Sequence, residues 1–370
     1  MSDPAGHRGG PAAVHQFVPA LIPRDATGSH TLLLRQALRA AGWRSEIFAE
    51  ATHEELVGES HPIVAYDDVA RPDDVLVYQF STSSMVAEYL LGRPERIVLD
   101  YHNVTRPDLY GGWDPEGARR STEAFEQLGR LAPRACLGLA DSAFNEEDLR
   151  RAGCRRTAVV PVLVDVQRLD AVPDRRVLAR LFAEGEGADW LFVGRLVPSK
   201  AQHRLVEALW AARRLYDPHA RLHLVGAAPT PRYLRALRDL VDDLGLTGAV
   251  HLVGEVTDDA LAAYFAAADV YVSLSVHEGF GVPLLEAMAA GVPVVARRAG
   301  AVPATVAGAG LVLERDDPGV VAAAVHRVLA DPALRAGLVA AGRARAAELS
   351  LADGGARAVA AIASVAGAPR

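Results

Sequence analysis

Cysteine is nearly missing from this chain. Two residues, Cys136 and Cys154, are all that its 370 positions offer. That excludes a disulfide framework and a four-cysteine zinc site, and it reads as a reducing, cytoplasmic setting with two ordinary thiols. Lysine is scarce, no basic run occurs, and the formal net charge is −7, which argues against a nucleic-acid partner. No stretch of about 18 apolar residues stands out, so no spanning helix is expected. The Gly- and Pro-rich start carries no hydrophobic signal segment, so no secretion signal is expected either. An Asp-x-Asp doublet and a His/Cys cluster are both lacking, so no metal is expected to be required. The adjacent pairs Asp67-Asp68, Asp73-Asp74 and Asp258-Asp259 point their side chains apart and read as loop or helix-cap acids. No Gly-x-Gly-x-x-Gly follows the first apolar run, which weakens a dinucleotide-dependent oxidoreductase.

What the chain does have is core material: half of its residues are hydrophobic, and its length favours two domains. Short β-rich runs alternate with helical patterns from end to end, the mark of α/β folds with parallel sheets. Strands are expected at 14–19, 45–48, 75–80, 96–101, 135–140 and 157–161. In the second half they are expected at 190–193, 221–225, 250–253, 270–274, 292–296 and 310–313. Helices fill the gaps, among them 31–41 and 121–131, and Asp141-Ser142 reads as a helix cap. The reading is two doubly wound, Rossmann-like domains, residues 1–165 and 166–350, with a disordered tail over residues 1–12. A last helix is expected over about 351–365, an ordinary C-terminal helix by its pattern.

Chemistry concentrates at the ends of strands. Glu278-Gly-Phe-Gly-Val-Pro-Leu-Leu-Glu286 sets two carboxylates eight positions apart around a Gly-Phe-Gly turn. Gly279 and Gly281 permit close approach of a ligand to the backbone. Pro283 suits a helix start, leaving the amides of Leu284 and Leu285 free for an anion, with Glu286 in the first turn. Phe192-Val-Gly-Arg-Leu-Val-Pro-Ser-Lys200 ends a strand in Gly194 and follows it with Arg195 and Lys200, two cations suited to a diphosphate leaving group. Ile22-Pro-Arg-Asp-Ala-Thr-Gly28 joins the first strand to the first helix, where Gly28 brings an amide toward a phosphate. His102 and Asn103 close the strand Arg96–Tyr101 as a sugar-binding pair, and Tyr110 and Trp113 follow in a Gly-rich loop, where flat rings suit an acceptor.

The segments 192–200 and 278–286 resemble the Gly-Arg-Leu…Lys loop and the Glu-x7-Glu motif of the retaining glycosyltransferases of family 4, which have the GT-B fold. The resemblance covers most of the chain and is most specific over residues 190–313. It implies two Rossmann-like domains facing a central cleft, with the last helix crossing back to the first domain. A nucleotide-sugar donor is the implied substrate, with Glu278, Gly279, Phe280 and Gly281 at the sugar, Glu286 at the ribose, Arg195 and Lys200 at the diphosphate, and Gly254 and Val256 at the base. His102 is implied near the transferred sugar. One departure from the family is the N-terminal loop, which has only Gly28 where two consecutive glycines are usual. Catalysis is implied to be metal-independent and without cofactor, with a soluble small-molecule hydroxyl acceptor. Rival readings are a GT-B nucleotide-sugar epimerase or sugar phosphorylase, a glycolipid or cell-envelope polysaccharide transferase at the membrane surface, and a non-catalytic sugar-nucleotide-binding protein.

Overall fold

The computed structural model describes residues 13–366, and the tail expected over residues 1–12 lies outside them. The chain folds as two compact units. Within the described residues the first draws on the chain up to Val104, on Glu123–Val164 and on the stretch from Leu351; the second takes Thr105–Thr122 and Asp165–Ser350.

The first unit holds strands β1 (Val14–Leu21), β2 (Ile47–Thr52), β3 (His61–Pro62), β4 (Val75–Phe80), β5 (Arg96–Tyr101), β6 (Leu137–Ala140) and β7 (Thr157–Val159). They form one sheet in the order β3-β2-β1-β4-β5-β6-β7, with every pairing parallel. β4 is buried along its whole length, as a strand covered by helices on both faces must be. The short edge strand β3 has no hydrophobic run behind it and is not foreseen from the sequence. The first helix starts at Ala26, earlier than the apolar pattern suggests, because Asp25 caps it. Ser142 caps the helix Ala143–Arg151 by accepting from the Asn145 amide at 3.2 Å.

The helix Leu351–Ala366 completes this unit. It lays Ala358, Ile362 and Ala366 into a core shared with Val14 of β1 and with Leu34 and Leu38 of the helix Ala26–Ala40. Contrary to the expectation of none, one helical stretch among the described residues, Pro332–Ala366, is long and apolar enough to cross a membrane by length and composition, with a mean hydropathy of 1.3 over 18 residues. The stretch is broken into two helices, Pro332–Glu348 and Leu351–Ala366, and the second spends its apolar face on the core just described.

The second unit holds β8 (Asp189–Val193), β9 (Arg221–Val225), β10 (Val250–Gly254), β11 (Val270–Ser273), β12 (Val294–Arg297) and β13 (Leu311–Leu313), all parallel in the order β10-β9-β8-β11-β12-β13. Trp190, Phe192, Leu222, Leu224, Val270 and Val272 meet the helices Gln202–Leu215 and Pro318–Ala330 in its core. The strand order reverses between β8 and β11, and ligands of such sheets bind outside the carboxyl ends of strands at that point. The pairs Val270↔Trp190 and Tyr271↔Leu191 hold these two strands in register. The sequence assigns Thr105–Thr122 to the first domain, but the segment groups with the second unit. Its turn Pro107–Tyr110 lies against the turn Pro198–Lys200, Arg232 Nη1 donates to the Gly112 carbonyl at 2.9 Å, and Trp113 sets its edge on Tyr233.

Ile362 is fully buried between the last helix and its neighbours. Ile362→Ala should destabilise the unfolding transition of the first unit by about 2–5 kcal/mol. Arg357→Ala, on the exposed face of the same helix, should change it by less than about 0.5 kcal/mol. Urea titration followed by tryptophan fluorescence and circular dichroism measures both; equal effects would mean the helix is not held by its apolar face.

Candidate functional site

The loops after β8 and β11 emerge side by side in the second unit. After β8, Gly194 sits at φ 150°, and the chain turns through Pro198–Lys200 before the helix Gln202–Leu215 begins. Gln202 Nε2 closes the loop by donating to the Arg195 carbonyl at 2.9 Å. The two loops are joined twice: the Val276 amide donates to the Ser199 carbonyl at 2.9 Å, and Lys200 Nζ donates to Glu278 Oε1 at 2.7 Å. Lys200 is the single lysine in a chain with 39 Lys and Arg residues together. The Arg195 side chain is exposed and makes no ion pair with the described residues. One cation is thus pinned to a carboxylate while the next stands open to solvent.

Glycine is required at position 281, where φ is 91° and a Cβ would run into the Leu284 side chain at 2.7 Å. The helix Val282–Ala290 follows, with Pro283 as its second residue. The Leu284 amide is not free for an anion, because it donates to the Gly281 carbonyl at 2.9 Å. Glu286 is the fifth residue of this helix and not part of its first turn. Its carboxylate is 1 % exposed and is held by a side chain that sequence reading did not single out. Arg168 donates to Glu286 Oε1 from Nε at 3.1 Å and from Nη2, and to Asp258 Oδ1 from Nη1 at 2.9 Å. Arg168 lies 118 positions from Glu286, so no local spacing announces the pair. Phe280 and Leu285 are buried, with the Phe280 carbonyl accepting from Thr305 Oγ1 at 2.6 Å; Gly279 is buried beside them. Gly254 ends β10 and accepts the Gly226 amide at 2.8 Å, and Val256 beyond it is half-buried. Below this edge, burial and then the Glu278 carboxylate push the Tyr271 hydroxyl well above its usual range, so it stays a donor, to the Val193 carbonyl at 3.3 Å.

Gly28, His102 and Asn103 lie in the first unit. The Gly28 amide is spoken for: with Thr27 it donates to Asp25 Oδ2, at 3.2 and 3.0 Å, so a carboxylate occupies the end of this helix where a phosphate was expected. A Cβ at Gly28 would strike the Ile22 carbonyl, which is why glycine stands there. His102, expected to face a sugar, is 4 % exposed, and both ring nitrogens are engaged: Nδ1 donates to both Asp141 oxygens at 3.2 Å and Nε2 to Gln79 Oε1 at 2.5 Å. Burial alone would lower its pKa, but Asp141 and Asp100 overcome that and raise it to about 9, so the ring is an imidazolium. Neighbouring His30 accepts the Leu163 amide on Nδ1 at 2.9 Å and donates from Nε2 to Asp100 Oδ2 at 3.0 Å. Asn103 takes a left-handed conformation at φ 69°, which asparagine tolerates better than most residues.

Tyr110 and Trp113 sit on the second unit with Lys200's loop. Trp113 remains 39 % exposed, with its ring centroid 5.6 Å from that of Tyr233. Two groups of ligand-type side chains occur among the described residues. One is the His30–Asp100–His102 array; the other is Glu184, His223 and His251. In the latter His223 Nε2 lies 2.9 Å from Asp189 Oδ1, and Arg221 already clamps the same carboxylate at 2.8 and 3.0 Å.

Known proteins share the fold of this chain. Residues 187–331 match the profile of the family described as Glycosyl transferases group 1. The chain is 38 % identical over 215 residues to a D-inositol 3-phosphate glycosyltransferase of Geodermatophilus obscurus, covering 55 % of this chain and 47 % of that protein. It is also 38 % identical over 195 residues to a GDP-mannose-dependent alpha-(1-6)-phosphatidylinositol monomannoside mannosyltransferase of Mycobacterium tuberculosis, covering 50 % of this chain and 49 % of the other. The matches thus span about half the length of these curated relatives. Anabaena HepE, solved in complex with UDP and glucose, superposes with a TM-score of 0.78 at 19 % identity, over 95 % of this chain and all of that one. WaaG, a glycosyltransferase involved in lipopolysaccharide biosynthesis, does so at 0.70 and 15 % identity, over 94 % and 98 %. These likenesses show the fold: two parallel-sheet α/β domains of the GT-B class.

The His102 environment has a pH signature. A folded-state pKa of about 9, against an ordinary value of 6.5, means that folding binds the proton more tightly. The stabilisation is complete below about pH 6.5 and is lost as pH rises through about 9. The melting temperature should fall between pH 7 and 9, and the fall should shrink in His102→Gln. Profiles of the same slope in both proteins would show that the ring is not charged in the folded state.

Proposed function

We propose that this chain is a retaining glycosyltransferase of family 4 that moves a hexosyl group from a UDP- or GDP-sugar to a hydroxyl of a small acceptor. The observation that carries the reading is the single lysine, joined at 2.7 Å to Glu278 where the strand order reverses, inside the region that matches the group 1 profile. An ammonium has three N–H donors, so Lys200 can keep Glu278 and still meet a phosphate oxygen. Arg195, exposed and without an ion pair among the described residues, supplies the second cation. Glu278 with the backbone around Gly279–Gly281 takes the sugar hydroxyls, and Glu286 takes the ribose.

In the proposed reaction the bond from the anomeric carbon to the diphosphate oxygen breaks, and the acceptor oxygen bonds to that carbon from the same face. The acceptor proton passes to a phosphate oxygen. Lys200 and Arg195 stabilise the charge that develops on the leaving diphosphate, a task that preorganised donors perform well in a site shielded from water. No metal is assigned a role, because these side chains supply the positive charge. The names of the relatives point to an acceptor of the inositol type, phosphorylated or carried on a phosphatidyl lipid. The free thiols Cys136 and Cys154 suit a reducing cytoplasm.

Purified protein incubated with UDP-, GDP-, ADP- and dTDP-sugars in EDTA should hydrolyse one nucleotide class slowly and transfer its sugar to inositol 3-phosphate or a related polyol, read by mass spectrometry. Transfer only to phosphatidylinositol in vesicles would move the acceptor to a membrane surface, and activity lost in EDTA would overturn metal independence. Lys200→Ala should lower turnover by about 10²–10³-fold. Lys200→Arg should recover little of this, since a planar guanidinium does not replace a compact ammonium. A Lys200→Ala protein within about threefold of wild type would remove Lys200 from the leaving-group site.

A further inference from the structure

Glu286 is almost fully buried, yet both hydrogen bonds it accepts land on a single oxygen. Arg168 saturates Oε1, and Oε2 accepts none from the described residues. Oε2 is not sealed in, for it is not one of the fully buried side-chain atoms left without a partner, and so it keeps a narrow exposure. A charged acceptor open on one side in this way is placed to take a ligand hydroxyl. The guanidinium that arranges this is itself fixed from two sides. Its remaining arm, Nη1, reaches Asp258 Oδ1 at 2.9 Å, and its backbone belongs to a turn that Asp165 caps by accepting the Gln167 amide at 3.0 Å. A planar fork clamped at both ends cannot rotate without losing one carboxylate, so it holds Glu286 in one rotamer.

We propose that Arg168 is a positioning residue for the nucleoside part of the donor. By occupying Oε1 and balancing the charge of Glu286, it presents Oε2 to a ribose hydroxyl and so sets a preference for ribonucleotides over 2′,3′-dideoxyribonucleotides. This rests on the assignment of Glu286 to the ribose. Arg168 touches no reacting atom, and its effect belongs to donor binding, so it should raise KM for the donor and leave kcat nearly unchanged. Asp258 is the outer stay of the clamp, and Asp258→Asn should show the same effect in weaker form.

The test uses the full chain and isothermal titration with UDP, GDP, their 2′,3′-dideoxy counterparts and inorganic pyrophosphate, which has no ribose. Wild type should bind the better ribonucleotide about 10- to 100-fold more tightly than its dideoxy form, the range for a hydrogen bond to a charged group. Glu286→Ala and Arg168→Met should both collapse that ratio to within about threefold, Arg168→Lys should keep only part of it, and pyrophosphate affinity should be unchanged throughout. Arg168→Met with a wild-type ratio overturns the role of Arg168. A loss of pyrophosphate binding in step with nucleotide binding overturns it too, by showing general damage to the site. If Arg168→Met does not fold, Arg168→Lys decides, and an unchanged ratio there rejects the proposal. If Glu286→Ala collapses the ratio and the Arg168 variants do not, only the Arg168 role fails. A wild type that does not discriminate removes the ribose assignment of Glu286 and the proposal with it.

Discussion

The side-by-side pairing of β8 and β11 is the constraint from which the candidate donor site follows. Parallel strands finish at the same edge of a sheet, and here the chain leaves that edge in opposite directions, toward β9 on one side and β12 on the other. Two loops are thereby left open to each other with no crossover connection lying between them. Lys200 and Glu278, 78 positions apart, meet at 2.7 Å because of that pairing. The same edge carries a second carboxylate, Glu286, and each acid has its own cation. The arrangement is self-limiting: an acid removed from water without its partner would be far more costly than the pair. Fold and site are therefore coupled through charge as well as through topology.

Much of this was legible in the sequence, for a physical reason. Buried parallel strands are short continuous apolar runs, and β4, β5 and β9 fall where those runs do. Caps are local chemistry as well, which is why Ser142 could be read as one. The motif residues Gly194, Lys200, Glu278 and Glu286 also gather in one unit. What could not be read is whatever depends on distant partners. Nothing around Arg168 signals an acid 118 positions away. His102 stands where the sequence puts it, at the end of β5, but its engagement depends on Asp141 and Gln79, which lie on other strands' ends. The Gly28 amide and the Leu284 amide looked free only because their acceptors, Asp25 and Gly281, are near neighbours that can equally leave such amides open. Thr105–Thr122 was misassigned since chain order says nothing about which surface will cover an exposed tryptophan.

The two units share one order over six strands, with β7 added in the first, and use it to different ends. In the second, the strand ends present an open guanidinium and a carboxylate oxygen without a protein partner among the described residues. In the first, the corresponding edge is closed upon itself. His102, Asp141, Gln79 and Gln16 form one hydrogen-bonded chain, and the His30–Asp100 pair lies against it, with His102 Nε2 4.0 Å from Asp100 Oδ1. Such a satisfied network rigidifies the edge and specifies one arrangement of it. Any contact this edge makes with a substrate would have to come from groups outside that array, such as the backbone around Asn103.

The return of the helix Leu351–Ala366 to the first unit has a consequence for biosynthesis. Domains usually fold in the order in which they are made, N-terminal first. Here the first unit precedes the second in sequence but cannot be closed before it, because its last core segment is encoded after the whole of Asp165–Ser350. At ordinary rates of about 5–20 residues per second, the intervening stretch takes on the order of ten seconds or more to emerge. Throughout that interval the core around Val14, Leu34 and Leu38 lacks the cover that Ala358, Ile362 and Ala366 give it. The nascent chain is thus a client for whatever shields exposed apolar surface at the ribosome, and the second unit, nearly continuous in sequence, is positioned to become the first finished part of the molecule.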